Sequence, residues 1–145
     1  MANSEPVLKG SCQCGNVEYS STRLPVELSN CHCLACRKIT GAAFWTACKF
    51  PLSAVTWLSR DSLVEKRYSD VATRTHCSAC GSTISMKFDA HDTISISASS
   101  IDEATIKGQL PKAKKHIFVG EKASWYDLPS DGLGKFEKFP PRSHL

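Results

Sequence analysis

Seven of the eight cysteines in this chain fall into three short clusters. Cys12 and Cys14 form C-x-C followed by Gly15. Cys31, Cys33 and Cys36 form C-x-C-x-x-C. Cys77 and Cys80 form C-x-x-C followed by Gly81. Thiols at these spacings converge when the backbone turns tightly, so the fold must be built around the turns. Zn²⁺ takes thiolates in a tetrahedron and is the ion such sets suit best. Disulfides are the rival use of the cysteines. The C-x-C pairs are too close for easy bridging, and Met1 to Gly10 has no basic region followed by an apolar stretch. A secretory signal is therefore not expected, and free thiols in a reducing, cytoplasmic setting are. The tail Ser143-His144-Leu145 resembles the Ser-Lys-Leu peroxisomal address with histidine in place of lysine, which makes the peroxisome the alternative destination.

The length of 145 residues and a hydrophobic fraction of 41% suit one globular domain spanning 1–145, with its core from about 10 to 139. No apolar run approaches the ~20 residues of a membrane span. The apolar pattern is short and alternating, as in half-buried strands. Strands are expected at Val17 to Ser20, Val26 to Ser29, Ala43 to Phe50, Val55 to Leu58, Leu63 to Tyr68, Thr73 to Cys77, Ser82 to Phe88, Thr93 to Ala98 and His116 to Val119. The first two flank a turn, and the middle ones read as successive antiparallel strands. One short helix is expected from Leu34 to Ile39, with Gly41 just past its end. The fold class is all-β, mainly antiparallel, with one helix after the second cysteine cluster.

The clusters imply two metal sites of different kinds. Cys12, Cys14, Cys77 and Cys80 form a complete set of four thiolates, which is a structural site. Gly15 and Gly81 permit backbone conformations that turn neighbouring N–H groups toward the sulfurs. Cys31, Cys33 and Cys36 are one ligand short, the arrangement of a catalytic or labile metal with a position for water or substrate. Three thiolates on Zn²⁺ carry a net negative charge. Arg37 and Lys38 follow at once, placed to offset it and to receive a substrate carboxylate. Cys48 could close the tetrahedron or serve as a small buried hydrophobe. His32 should point away from the thiols, in a supporting or surface position. His76 should face away from the staple. His116 could be a ligand, an acid/base group or a core residue.

The net charge of +4 is mild. Lys112, Lys114, Lys115 and His116 form one basic cluster, read as a solvated strand face rather than a nucleic-acid patch. No nucleic-acid or membrane partner is expected, and a small-molecule substrate is.

The run Gly10-Ser11-Cys12-Gln13-Cys14-Gly15 is similar to the opening of the glutathione-dependent formaldehyde-activating enzyme family. Cys31-His32-Cys33-Leu34-Ala35-Cys36-Arg37-Lys38 resembles its central motif, and Cys77-Ser78-Ala79-Cys80-Gly81 its third. His116 to Val119, then Lys122, Trp125, Asp131, Gly132 and Leu133, resemble its ending. The resemblance implies an all-β, tent-like zinc fold shared with a Rab-GTPase chaperone and centromere protein V. It implies structural zinc on Cys12, Cys14, Cys77 and Cys80, and a labile or catalytic zinc on Cys31, Cys33 and Cys36. It also implies carbon–sulfur lyase activity on an adduct of glutathione and formaldehyde, or on a related thiol or carbonyl compound. In that role Phe44, Trp45 and Trp125 could wall a pocket. The rival functions are a thiol-independent isomerase or lyase of a small carbonyl metabolite, and a zinc-stabilised protein-binding module.

Overall fold

The computed structural model describes residues 4–141. Its elements in chain order are β1 (Leu8–Ser11), β2 (Glu18–Ser21), β3 (Glu27–Cys31), α1 (Leu34–Thr40), β4 (Trp45–Pro51), β5 (Val55–Ser59), β6 (Leu63–Lys66), β7 (Ala72–Cys77), β8 (Thr83–Phe88), β9 (Thr93–Ser97), β10 (Ala113–Ile117) and β11 (Gly134–Lys135). Three strands form a small sheet in the order β1-β2-β5. Eight form a large one in the order β11-β10-β3-β4-β9-β8-β7-β6. All pairings between these strands are antiparallel except those of β10, which lies parallel to both β3 and β11. The fold is all-β with one short α-helix. No helix among the described residues is long and apolar enough to cross a membrane.

Alternation builds the core. Leu28, Cys48, Phe50, Ile94 and Ile96 of the large sheet meet Leu8 and Tyr19 of the small one, all buried. Trp57 sets its ring edge-on against Tyr19 at 5.9 Å. Cys48 is thus a core hydrophobe and belongs to neither group of converging thiols. The variant Cys48→Ala is expected to cost about 1 kcal/mol, an ordinary core effect, and to leave the metal content unchanged. Denaturant unfolding and metal analysis of the variant check both.

Several expected boundaries shift for physical reasons. Val17 to Ser20 and Val26 to Ser29 do not pair with each other, because β2 joins the small sheet and β3 the large one. Strand β1 carries too little apolar pattern to stand out. At Gly10 it approaches β2 so closely that a Cβ would collide with the Tyr19 ring. The final long strand ends at Ile117 rather than Val119, because Phe118 takes a left-handed φ of 57° and opens a 3-10 turn. The tail residues Ser143, His144 and Leu145 lie outside the described residues.

The basic cluster does not form a solvated face. Lys112 and Lys114 are exposed, but Lys115 and His116 are buried. Lys115 Nζ reaches Glu27 Oε1 at 3.0 Å, and Lys49 Nζ reaches the same oxygen at 3.4 Å. Burial alone would raise the pKa of Glu27, but Lys115 and Lys49 together hold it below its ordinary value of 4.5. A depressed carboxylate stabilises the fold above its unfolded pKa and loses that contribution as acid protonates it in the folded state. Thermal stability is therefore expected to decline as pH falls below 4.5, and less steeply in Glu27→Gln. Equal slopes for the two proteins in melting curves against pH would remove Glu27 from the account.

One break in the large sheet opens a cleft. β9 pairs with β4 from Ala47↔Ser97 to Pro51↔Thr93, so Trp45 and Thr46 have no partner there. Past Ser97 the chain leaves through the 3-10 turn Ala98–Ser100, and Ile101 bridges to Gly10. The starts of β4 and β8 therefore part. The resulting cleft has a volume of about 760 Å³ and is lined by Phe44, Trp45 and Thr46, by the end of α1, by Cys12 of the first cysteine cluster, by Ser82 and Thr83, and by Ser99, Ser100 and Asp102.

Candidate metal centres

Four thiols from two distant turns meet at the first centre. Cys12 and Cys14 follow β1; Cys77 ends β7 and Cys80 follows it. All four sulfurs lie within 4.8 Å of one another. Cys12 Sγ and Cys14 Sγ are 3.6 Å apart, and Cys14 Sγ and Cys77 Sγ 3.8 Å. A tetrahedron with Zn–S bonds of about 2.3 Å has S···S edges of about 3.8 Å, so the set fits that ion. Both glycines take positive φ, 83° at Gly15 and 80° at Gly81, as the tight turns require. The Val17 N–H donates to Cys12 Sγ at 3.2 Å. The Ser82 hydroxyl lies 3.2 Å from Cys80 Sγ and, with the N–H groups of Ser82 and Cys14, draws the Cys80 pKa down to about 5. The centre rests on buried Val17 and Ile84.

The second centre is smaller. Cys31 ends β3, Cys33 caps α1 and Cys36 lies in its first turn. Their sulfurs also lie within 4.8 Å of one another, as a group of three. The cap explains the spacing. Cys33 has extended backbone, and its sulfur accepts from the Cys36 N–H at 3.3 Å, so capping α1 and gathering two thiols are one geometry. Gly41, at φ 69°, ends the helix with its N–H on the Arg37 carbonyl. The trio packs on Trp45, Ala47 and Ile117. Hydrogen bonds from Cys31 and Cys36, then the Cys36 N–H and Arg74, hold the Cys33 thiol far below its ordinary value, while the neighbouring thiols push Cys31 up. Among the described residues neither Cys48 nor a histidine joins this group.

The cation beside the trio is one that sequence reasoning missed. Arg74 Nη2 donates to Cys36 Sγ at 3.4 Å, and its guanidinium lies over the Trp45 ring at 5.8 Å. It is 38 positions from Cys36, and only the register through β8, β9 and β4 brings it there. Arg37 is half-buried, and its Nε is enclosed without a hydrogen-bond partner among the described residues. Lys38 is exposed.

His32 takes neither a ligand nor a surface position. It is fully buried, and its Nε2 lies 2.9 Å from His116 Nδ1. His116 Nε2 in turn lies 2.9 Å from Asp131 Oδ2, so both His116 nitrogens are engaged. Phe44 and Tyr126 close round His32 at 5.0 and 6.0 Å. Burial, then His116, Lys122 and Arg37, pull its pKa down to about 4. His76 lies on β7 opposite Val64 and is not among the four thiols of the first centre. Phe44 and Trp45 line the cleft, Trp45 as a buried core residue, but the cleft borders Cys12 of the first centre and none of Cys31, Cys33, Cys36, Arg37 or Lys38. Trp125 does not line it; it stands 70% exposed, held in a loop outside both sheets.

A solved protein of Rhodobacter sphaeroides is similar in fold, with a TM-score of 0.57 at 21% identity, covering 71% of this chain and 97% of that one. At that identity the likeness concerns the fold alone. No curated protein matches the sequence. The sequence model of the glutathione-dependent formaldehyde-activating enzyme family matches residues 7–121, a span that holds all seven clustered cysteines. On that match, over most of its length, the chain belongs to the glutathione-dependent formaldehyde-activating enzyme family.

Proposed function

We propose that this protein is a zinc-dependent carbon–sulfur lyase acting on a glutathione–aldehyde adduct of the S-hydroxymethyl type, or on a related thiol adduct, with 1–145 as one domain. The observation that carries the reading is the inequality of the two thiol groups, one of four and one of three. Cys12, Cys14, Cys77 and Cys80 would hold a structural ion. Cys31, Cys33 and Cys36 would hold the second, which when bound offers a position for a thiol sulfur or carbonyl oxygen and favours the thiolate near neutral pH. Around it, Arg74 offsets the thiolate charge through its bond to Cys36, with its guanidinium over the Trp45 ring. In this reading Arg37 and Lys38 anchor a substrate carboxylate, and Trp45, packed on the trio, and Phe44, beside His32, form the apolar wall.

A second reading, a thiol-independent isomerase or lyase of a small carbonyl compound, draws on the cleft itself. Its lining is rich in serine and threonine, with Asp102 and no lysine, arginine or histidine to meet the carboxylates of glutathione. A screen of formaldehyde and small carbonyl substrates with and without glutathione separates the two. Thiol-dependent turnover is the expected result. Turnover independent of thiol would transfer the assignment to the second reading.

A further inference from the structure

The Asp131–His116–His32 chain has no part in the chemistry above, yet its geometry leads to the three-thiol centre. Asp131 Oδ1 accepts from the Leu133 N–H at 3.0 Å and from Lys135 Nζ at 3.1 Å, which keeps the carboxylate ionised and in place. Its other oxygen then accepts from His116 Nε2–H at 2.9 Å. In a neutral His116 the lone pair is at Nδ1, which accepts from His32 Nε2–H at 2.9 Å. With His116 in that state each ring has one tautomer and His32 Nδ1 carries a lone pair, and that atom is buried without a partner among the described residues.

The far end of the chain is equally fixed. Gly134 and Lys135 pair with Lys115 and His116, and the Phe136 N–H donates to the His116 carbonyl at 3.0 Å. At the near end, the His32 N–H donates to the Ile117 carbonyl at 2.9 Å. The residue between Cys31 and Cys33 is therefore gripped twice by β10, once through its backbone and once through its ring.

We propose that Asp131, His116 and His32 are positioning residues for the three-thiol centre: they hold the Cys31-His32-Cys33 turn in its ligating shape and so set how tightly the trio binds a divalent ion. This rests on reading the trio as a metal site. Groups that orient ligands from behind typically change metal affinity by about 10–100-fold when removed.

The test uses the full-length protein loaded with Co²⁺, whose thiolate bands report each centre, in competition with a chelator. Asp131→Ala is expected to weaken binding at the trio by about 10–100-fold, with the four-thiol centre as an unchanged internal control. Asp131→Asn keeps an oxygen acceptor and is expected to recover part of the affinity. Two-bond ¹H–¹⁵N spectra of the wild type should show Nε2–H at both His32 and His116, with the His116 pattern altered in Asp131→Ala. Unchanged affinity at the trio, an equal loss at both centres, or the opposite tautomers in the wild type would each overturn the proposal. A wild-type trio that takes up no Co²⁺ overturns it together with the metal-site reading. Binding that is indifferent to Asp131 overturns the proposal alone.

Discussion

Replacing Cys77 with serine is expected to leave the chain unfolded under conditions in which the wild type is native. Cys77 is fully buried at the end of β7, and its sulfur sits 3.8 Å from that of Cys14, which follows β1. It joins segments 63 positions apart. A structural zinc contributes on the order of 10 kcal/mol or more to folding, because no formed site exists in the unfolded chain. A domain of this size has a net stability of only about 5–15 kcal/mol. Losing one thiolate leaves three ligands and a buried hydroxyl at a point where the packing is already closed over Val17 and Ile84. Far-UV circular dichroism and metal analysis of Cys77→Ser check the outcome, and a strong chelator on the wild type should reproduce it. A folded, cooperative Cys77→Ser protein would show that the staple is dispensable.

The matching substitution in the trio is expected to behave in the opposite way. In Cys33→Ser the metal content should fall from two ions per chain to one, while the denaturation midpoint moves little. Cys33 sits at the half-buried start of α1, outside the ladder of the large sheet. Its sulfur serves the Cys36 N–H, a capping role that a serine hydroxyl can take over. Catalysis is another matter. Groups that merely support a metal ligand are worth about 10–100-fold, so removing a ligand itself should cost S-hydroxymethylglutathione turnover more than about 100-fold. Unchanged turnover with the second ion lost would remove the catalytic-metal idea and leave a family member that uses its fold for something else.

The cysteine spacing made both groups legible before any coordinates. Short-range geometry explains why: C-x-C and C-x-x-C are local turns, and Gly15, Gly41 and Gly81 mark the places where φ must be positive. Alternation located most of the strands for the same reason, since burial at every second residue is a local property. What stayed hidden depends on register. Arg74 reaches Cys36 only because three intervening strands stack in a particular order. His32 reads locally as a residue turned away from its cysteine neighbours; its partner is 84 positions on, and Asp131 a further 15. Lys115 looked like part of a basic surface run until its pairing with Glu27 placed it inside. In each case the sequence carries the residue, while long-range pairing decides its surroundings.

The parallel seat of β10 between β3 and β11 sets a timetable for biosynthesis. A nascent chain emerging from the ribosome presents all seven clustered cysteines by Cys80. The four-thiol knot can therefore close early, before strands β8 to β11 are made. The outer flank of β3 stays bare until residues 113–117 arrive, and the imidazole of His32 has no mate before then. Non-local parallel pairing of this kind is slow to form. Assembly is thus ordered along the chain: the first ion can be captured once Cys80 is made, and the second centre reaches its finished form only after β10 and Asp131 have followed.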